Sequence, residues 1–239
     1  MNPSAQDKVK NFKPPPKKHQ PRGLPVLYED RDILVVNKIN GLLTVSTDRI
    51  TEETAYYRLT EYVKKGNSKS KNRVFVVHRL DRDTSGVIIF AKTEEAKRHL
   101  QDEWKNFKKK YYAVVHGILP QKEDVITSYL AENSVFKVFS VSDPKKGKLA
   151  KTGYKVLKES ADFSLLEVDL ITGRKNQIRV HFAEKGFPVV GDKSYGQKGK
   201  GVKRLMLHSA SLTITHPFSK AEMTFDTKVP AHFNALVSS

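Results

Sequence analysis

The sequence predicts an α+β protein built on a large mixed, mainly antiparallel sheet flanked by helices and loops. Three observations predict it. The element order is strand-rich, and its helices fall at irregular intervals rather than in a βαβ alternation. No G-x-G-x-x-G or Walker A loop follows any strand, so the signatures of a nucleotide-binding parallel sheet are missing. The 239 residues suffice for one medium-sized domain or two closely packed lobes with a real core, and no internal repeat divides them.

Taken in order, residues 1 to about 23 read as a basic, Pro-rich flexible tail. Pro14, Pro15, Pro16 and Pro21 stand among six Lys and Arg from Lys8 to Arg22, and the Pro run favours polyproline II over helix. Residues 24–239 then read as one catalytic domain. Ile33 to Val36 is a short apolar run of a buried strand, and Asn37-Lys38-Ile39-Asn40-Gly41 turns the chain. A helix is expected from Glu52 to Lys65, with Thr51 as N-cap, Glu52 and Glu53 at the favourable end of the dipole, and Gly66 as terminator. Val74 to Val77 and Val87 to Phe90 are strands. A second helix is expected from Glu94 to Phe107, striped by Ala96, Leu100, Trp104 and Phe107. Strands follow at Tyr111 to Val115 and Phe136 to Val141. Two more fill Thr152 to Leu170 around a turn at Glu159 to Asp162, where Leu166, Val168 and Leu170 alternate with acids. A third helix covers Asn176 to Lys185, stopping at Gly186. Short strands at Leu212 to Ile214 and Met223 to Phe225 end the pattern.

Composition narrows the function. Forty-three Lys and Arg face 26 Asp and Glu, a net charge of +17, and a polyanionic partner follows naturally because each neutralised phosphate releases counterions. Cysteine is absent, which excludes disulfides, thiolate zinc sites and a Cys nucleophile. No apolar run reaches about 18 residues, so no membrane span is expected. The N-terminus has no apolar signal core, which points to a cytoplasmic protein.

Two segments concentrate polar chemistry. In Val77-His78-Arg79-Leu80-Asp81-Arg82-Asp83-Thr84-Ser85-Gly86-Val87, two Arg, one His and two Asp crowd six positions between apolar strands. Charges that close belong to a site or an ion-pair network. In Leu170-Ile171-Thr172-Gly173-Arg174-Lys175-Asn176-Gln177-Ile178-Arg179-Val180-His181, a strand runs almost directly into a helix whose N-terminal amides attract anions. Lys175 and Arg179, four apart, are expected on one helix face. His78, His181, His208 and His216 match no zinc spacing and there is no HExxH, so satisfied core or loop histidines are expected and no metal.

Together these segments resemble the RluA-type pseudouridine synthases. His78-Arg79-Leu80-Asp81-x-x-Thr84-Ser85-Gly86 is similar to the signature of that family. Gly173-Arg174-x-x-Gln177-Ile178-Arg179-x-His181 is similar to its later Gly-Arg-x-His-Gln-Ile-Arg-x-His motif. Tyr111-x-Ala113-x-Val115-x-Gly117, Pro188-Val189-Val190-Gly191-Asp192-x-x-Tyr195-Gly196 and Arg204-Leu205-x-Leu207-His208-Ser209-Ala210 follow in family order. The resemblance runs from about residue 25 to 230. Asn176 stands where the family usually has His, and Ile39 where it has Pro. The short tail lacks the S4 domain of many relatives.

The resemblance implies the pseudouridine synthase fold with an RNA cleft across its middle, and an isomerase acting on uridines in structured RNA, ribosomal or transfer RNA, as a monomer. It implies Asp81 as the catalytic carboxylate, Arg179 as the cation that pairs with it, and Tyr111 as a third catalytic member stacked on the base. Arg79 is implied to fill the space left by the flipped base. His78, Arg82, Thr84, Arg174, Gln177 and Leu207 are implied to line the substrate. Asp83 reads as a structural carboxylate of the loop. The reaction adds no atom and changes no oxidation state, so no cofactor is expected. Two other readings stay open: a catalytically silent RNA-binding or ribosome-assembly factor on this fold, and a metal-dependent nuclease using Asp81 and Asp83.

Overall fold

The computed structural model describes residues 5–46, 52–196 and 202–238. The chain forms two compact units, Met1–Phe107 with Ser211–Thr227, and Lys108–Ala210 with Lys228–Ser239. The fold is α+β, as the strand-rich order requires.

The first unit opens with α1 (Ala5–Lys10), then β1 (Val26–Glu29), β2 (Ile33–Lys38), α2 (Ala55–Lys64), β3 (Phe75–Val76), β4 (Ser85–Ala91) and α3 (Glu94–Asp102). β2 pairs antiparallel with β1 and with β4, and β3 pairs with the end of β4. Every residue of β4 is buried, which is why Val87 to Phe90 is an unbroken apolar run instead of an alternation. One face joins Ile33, Val35, Val87, Ile89, Leu100 and Phe107 in a core cluster.

Three boundaries differ from expectation for local reasons. Helix α2 starts at Ala55, because the hydroxyl of Thr54 accepts the amide of Tyr57 at 3.1 Å and Thr54 itself is extended. The expected cap, Thr51, lies outside the described residues. Helix α3 is capped by Thr93 and ends at Asp102. Asn106 folds back on Glu103 through its amide and its side chain, so Trp104 and Phe107 reach the core from a turn. Within residues 5–23, read in the sequence as part of a flexible tail, two side chains pack on the first unit. Val9 and Phe12 lie on the core cluster, and the Phe12 ring stands 5.4 Å from that of Tyr28. The Pro run does stay out of helix, but the helix forms ahead of it.

The second unit holds β5 (Lys108–His116), β6 (Glu123–Glu132), β7 (Val138–Val141), β8 (Lys148–Glu159), β9 (Phe163–Leu170) and α4 (Gln177–Glu184). Its antiparallel order is β5-β9-β8-β6-β7. β6 has no counterpart in the sequence reading. Ile126 and Leu130 are buried on one face, but the apolar Val125 on the other face is exposed, so apolar and polar residues do not alternate along the sequence. Phe136, expected to begin a strand, sits in the β6–β7 turn at φ 60°. Leu130, Val138, Ala150 and Val180 seat α4 on the sheet. β10 (Leu207–Thr215) leaves this unit at Ala210 and enters the first, where β11 (Glu222–Asp226) pairs with it antiparallel. The last helix, α5 (Ala231–Leu236), returns Phe233 to the core of the second unit. No helix among the described residues is long and apolar enough to cross a membrane.

Candidate active site

The loop carrying Asp81 connects β3 to β4 in the first unit, and its backbone is held from below. Leu80 is buried. The hydroxyl of Thr44 donates to the Leu80 carbonyl at 2.8 Å and accepts the Leu80 amide at 3.2 Å. Asp81 itself is partly exposed, and its carbonyl accepts the Thr84 amide. The turn after β2 completes the cradle. Gly41, at φ 82°, donates its amide to the Arg82 carbonyl, and the Asn40 side-chain amide donates to the Asp83 carbonyl.

The centre of that cradle is Lys38, which the sequence places only in a turn. It is 0% exposed. Its ammonium donates to the carbonyls of Leu42 at 2.7 Å, Ile39 at 3.1 Å and Arg82 at 3.1 Å. Burial pushes its pKa down to about 8, while the charges of Asp83 and Asp81 resist that fall. A buried ammonium is tolerated only when its donors are satisfied, and here all three are used, one on the Arg82 carbonyl beside Asp81 and two on the turn after β2. The signal lay in a charged residue closing a strand that opens with four buried apolar residues.

The other predicted residues of this loop divide by exposure. Arg79 and Arg82 face solvent, with Arg82 Nε donating to the Gly41 carbonyl at 3.2 Å. Thr84 is 2% exposed. The His78 ring stacks on Trp104 at 4.2 Å and accepts the Ile89 amide on Nε2. His78 and Thr84 therefore build the loop's footing.

In the second unit Tyr111 lies on β5 opposite Val168 and is 8% exposed, and Leu207, at the start of β10, is 4% exposed. Arg179 projects from α4. Its Nε donates to Asp192 Oδ2 at 2.6 Å and its Nη2 to Asp192 Oδ1 at 2.8 Å, while Nη1 donates to Asn176 Oδ1 at 3.0 Å. Burial alone would raise the Asp192 pKa, but the hydrogen bonds and charge of Arg179, with the amides of Tyr195 and Ser194, hold it below the usual value. Lys175 lies ahead of the first turn of α4, so it does not share a helix face with Arg179. It pairs with Glu132 and covers the Phe136 ring instead.

Gln177 is 2% exposed. Its Nε2 donates to the Lys151 carbonyl and to Thr152 Oγ1, and its Oε1 accepts from Thr172 Oγ1 and the Arg174 amide. Its whole amide is thus used to shape the loop before α4, where the exposed Arg174 reaches the Leu149 carbonyl. His181 continues this network between Thr152 Oγ1 at 2.9 Å and Ser128 Oγ at 3.0 Å, and burial lowers its pKa to about 4.

Asp30, Asp32 and His216 are grouped closely enough to hold a metal ion, but their hydrogen bonds close a loop. His216 Nδ1 accepts the amides of Ser219 and Phe218, which places the ring proton on Nε2, and Nε2 lies 2.9 Å from Asp30 Oδ2. The other Asp30 oxygen accepts the amides of Asp32 and Ile33.

Comparison with known proteins decides the family. The model of the RNA pseudouridylate synthase family matches residues 32–184. The chain belongs to that family. It is an isomerase that converts uridine in RNA to pseudouridine. An uncharacterized RNA pseudouridine synthase of Bacillus subtilis is 32% identical over 224 residues, 92% of this chain and 74% of that protein. Ribosomal large subunit pseudouridine synthase C of Buchnera aphidicola is 34% identical over 227 residues, 90% of this chain and 70% of that protein. The human RNA pseudouridylate synthase domain containing 1 structure superposes with a TM-score of 0.72 at 24% identity, covering 90% of this chain and 85% of that one. That likeness shows the fold. In this pseudouridine synthase, the Lys38 cradle holds the backbone on which Asp81 sits.

Proposed function

We propose that this pseudouridine synthase isomerises uridine in structured RNA through the carboxylate of Asp81, with large-subunit ribosomal RNA as the substrate class and transfer RNA as the competing one. The carboxylate acts at C1′ while the N1–C1′ bond breaks. The base turns, C5 bonds to C1′, the C5 hydrogen leaves as a proton, and N1 takes up a proton. Uridine and pseudouridine are isomers, so no redox or group donor enters the balance. The motif positions assign Arg179 the role of the cation that keeps the carboxylate ionised, and Tyr111 the role of stacking on the base. Arg79, exposed beside Asp81, suits the space vacated by a flipped base. Gln177, Thr84 and His78 act as supports, since their polar atoms or side chains face the protein.

The observation that carries the reading is the footing of Asp81: a buried lysine, a buried threonine and a glycine turn all hold the backbone of one short loop. The ribosomal choice rests on the names of relatives such as the Buchnera enzyme. The test is pseudouridine mapping of total RNA from a deletion strain and its parent. Loss of sites in large-subunit ribosomal RNA supports the reading. Loss confined to transfer RNA moves the substrate, and an unchanged map in both removes the enzyme reading.

A further inference from the structure

We propose that Asp192 is a positioning residue for the isomerisation, acting by locking the guanidinium of Arg179. The inference rests on the function proposed for Asp81 and Arg179, and adds the device that aims the arginine. Arg179 and Asp192 form a two-point pair, Nε to Oδ2 at 2.6 Å and Nη2 to Oδ1 at 2.8 Å. Two parallel bonds fix the plane of the fork as well as its distance. The Asp192 side chain is 1% exposed and that of Arg179 13% exposed, so water does not loosen the grip.

The clamp is itself held on every side. Asp192 Oδ1 also accepts the amides of Ser194 at 2.8 Å and Tyr195 at 3.0 Å. The carboxylate therefore shares its charge with two backbone dipoles and does not fully neutralise the arginine. The Tyr195 ring covers the guanidinium at 5.2 Å. The Tyr195 hydroxyl accepts the Val138 amide and the Asn176 side-chain amide. Asn176 closes the circle by accepting from Arg179 Nη1 at 3.0 Å. Asn176 stands at φ 53° ahead of α4, a left-handed conformation that Asn adopts more readily than most residues. The asparagine that departs from the family motif is thus wired into the arginine it precedes.

The geometry also divides the arginine's work. Asp192 takes the Nε side of the fork. Asn176 takes a hydrogen of Nη1. An arginine side chain has several rotatable bonds, and a misplacement of about 1 Å costs about 100-fold in rate. A buried two-point anchor on the side edge removes that freedom before RNA binds.

The experiment measures tritium release from total RNA of the deletion strain labelled with 5-tritiated uridine, with binding measured separately on the same RNA. Asp192→Asn keeps the shape and removes the charge. Its kcat is expected to fall about 100-fold while RNA affinity stays within about threefold, because misaiming affects the transition state alone. Asp192→Glu is expected to recover part of the rate. In an Arg179→Met background, assayed with enzyme in excess, Asp192→Asn is expected to cost nothing further. Parental turnover by Asp192→Asn, equal losses of rate and affinity, or an undiminished further loss in the Arg179→Met background each overturns the proposal. If Asp192→Asn does not fold, Asn176→Gly decides. It tolerates the positive φ and removes the Nη1 contact, so its rate should drop about 5- to 10-fold by the same argument from misplacement, and an unchanged rate overturns the inference. A parental enzyme that releases no tritium instead overturns the proposed function.

Discussion

The ammonium of Lys38 is bonded to the carbonyl of Arg82, the residue that follows Asp81, at 3.1 Å. A charge buried at 0% exposure thereby holds the backbone of the Asp81 loop; its removal takes a donor from the carbonyls of Ile39 and Leu42 and leaves the Arg82 carbonyl only the Gly41 amide.

Lys38→Met is expected to destabilise the protein by about 2–4 kcal/mol, since charged hydrogen bonds and stranded buried carbonyls each contribute. Turnover should fall more than stability explains at temperatures where the variant is folded. Urea titration and single-turnover rates check this. A folded variant with parental turnover would mean that the loop holds itself.

Asp81→Asn keeps the size of the side chain and removes its charge. Folding and RNA binding should persist, with pseudouridine formation reduced by at least about 1,000-fold, as expected when a nucleophile is lost. Nucleoside mass spectrometry after incubation with unmodified RNA reads the outcome. Product at near-parental rate would reassign the reaction to another residue.

Stability should fall on mild acidification. Burial lowers the pKa of His181 to about 4, and burial with the charges of Arg204 and His232 does the same for His208. Both rings take up a proton near pH 6.5 once unfolded. Between those values the unfolded chain binds more protons, so stability is fullest above about pH 6.5 and declines as pH drops toward 4, by at most about 3 kcal/mol per ring. Melting temperatures across pH 7.5 to 4.5 test this, and His181→Gln should show a shallower decline. A flat profile would contradict it.

Deleting residues 1–20 should do more than remove basic charge. The Gln6 side chain accepts the Thr224 amide at 2.9 Å and donates to the Thr224 carbonyl at 3.2 Å, acting as a one-residue strand on β11. Val9 and Phe12 cover the core beside it. The deletion should cost about 1–3 kcal/mol of stability from exposed apolar area, and should flatten the salt dependence of RNA binding. Thermal melts and binding at several salt concentrations separate the two effects. A deletion with parental stability would show that the segment adds no packing.

Much of the chain was legible because its signals are local. The apolar runs of β2 and β4 and the alternation in β9 depend on neighbours a few residues apart. Crowded charge around Asp81 marked a candidate site loop, and the ordered motifs carried the resemblance to the family that the comparisons show. The strand β6 was hidden because apolar residues stand on both of its faces, with Val125 beside Ile126 and Tyr129 and Ala131 beside Leu130, leaving no alternation in the sequence to read.

The sequence by itself determined the fold class, the basic surface charge, the family and the order of its motifs, since composition and short-range pattern carry these. Only the tertiary structure decided what Lys38, Asp192 and Gln6 do. Lys38 meets Arg82 across 44 residues, Arg179 meets Asp192 across 13, and Gln6 meets Thr224 across 218. Such partners are chosen by the folded backbone that brings a buried donor to its acceptor, and no periodicity along the chain records that choice.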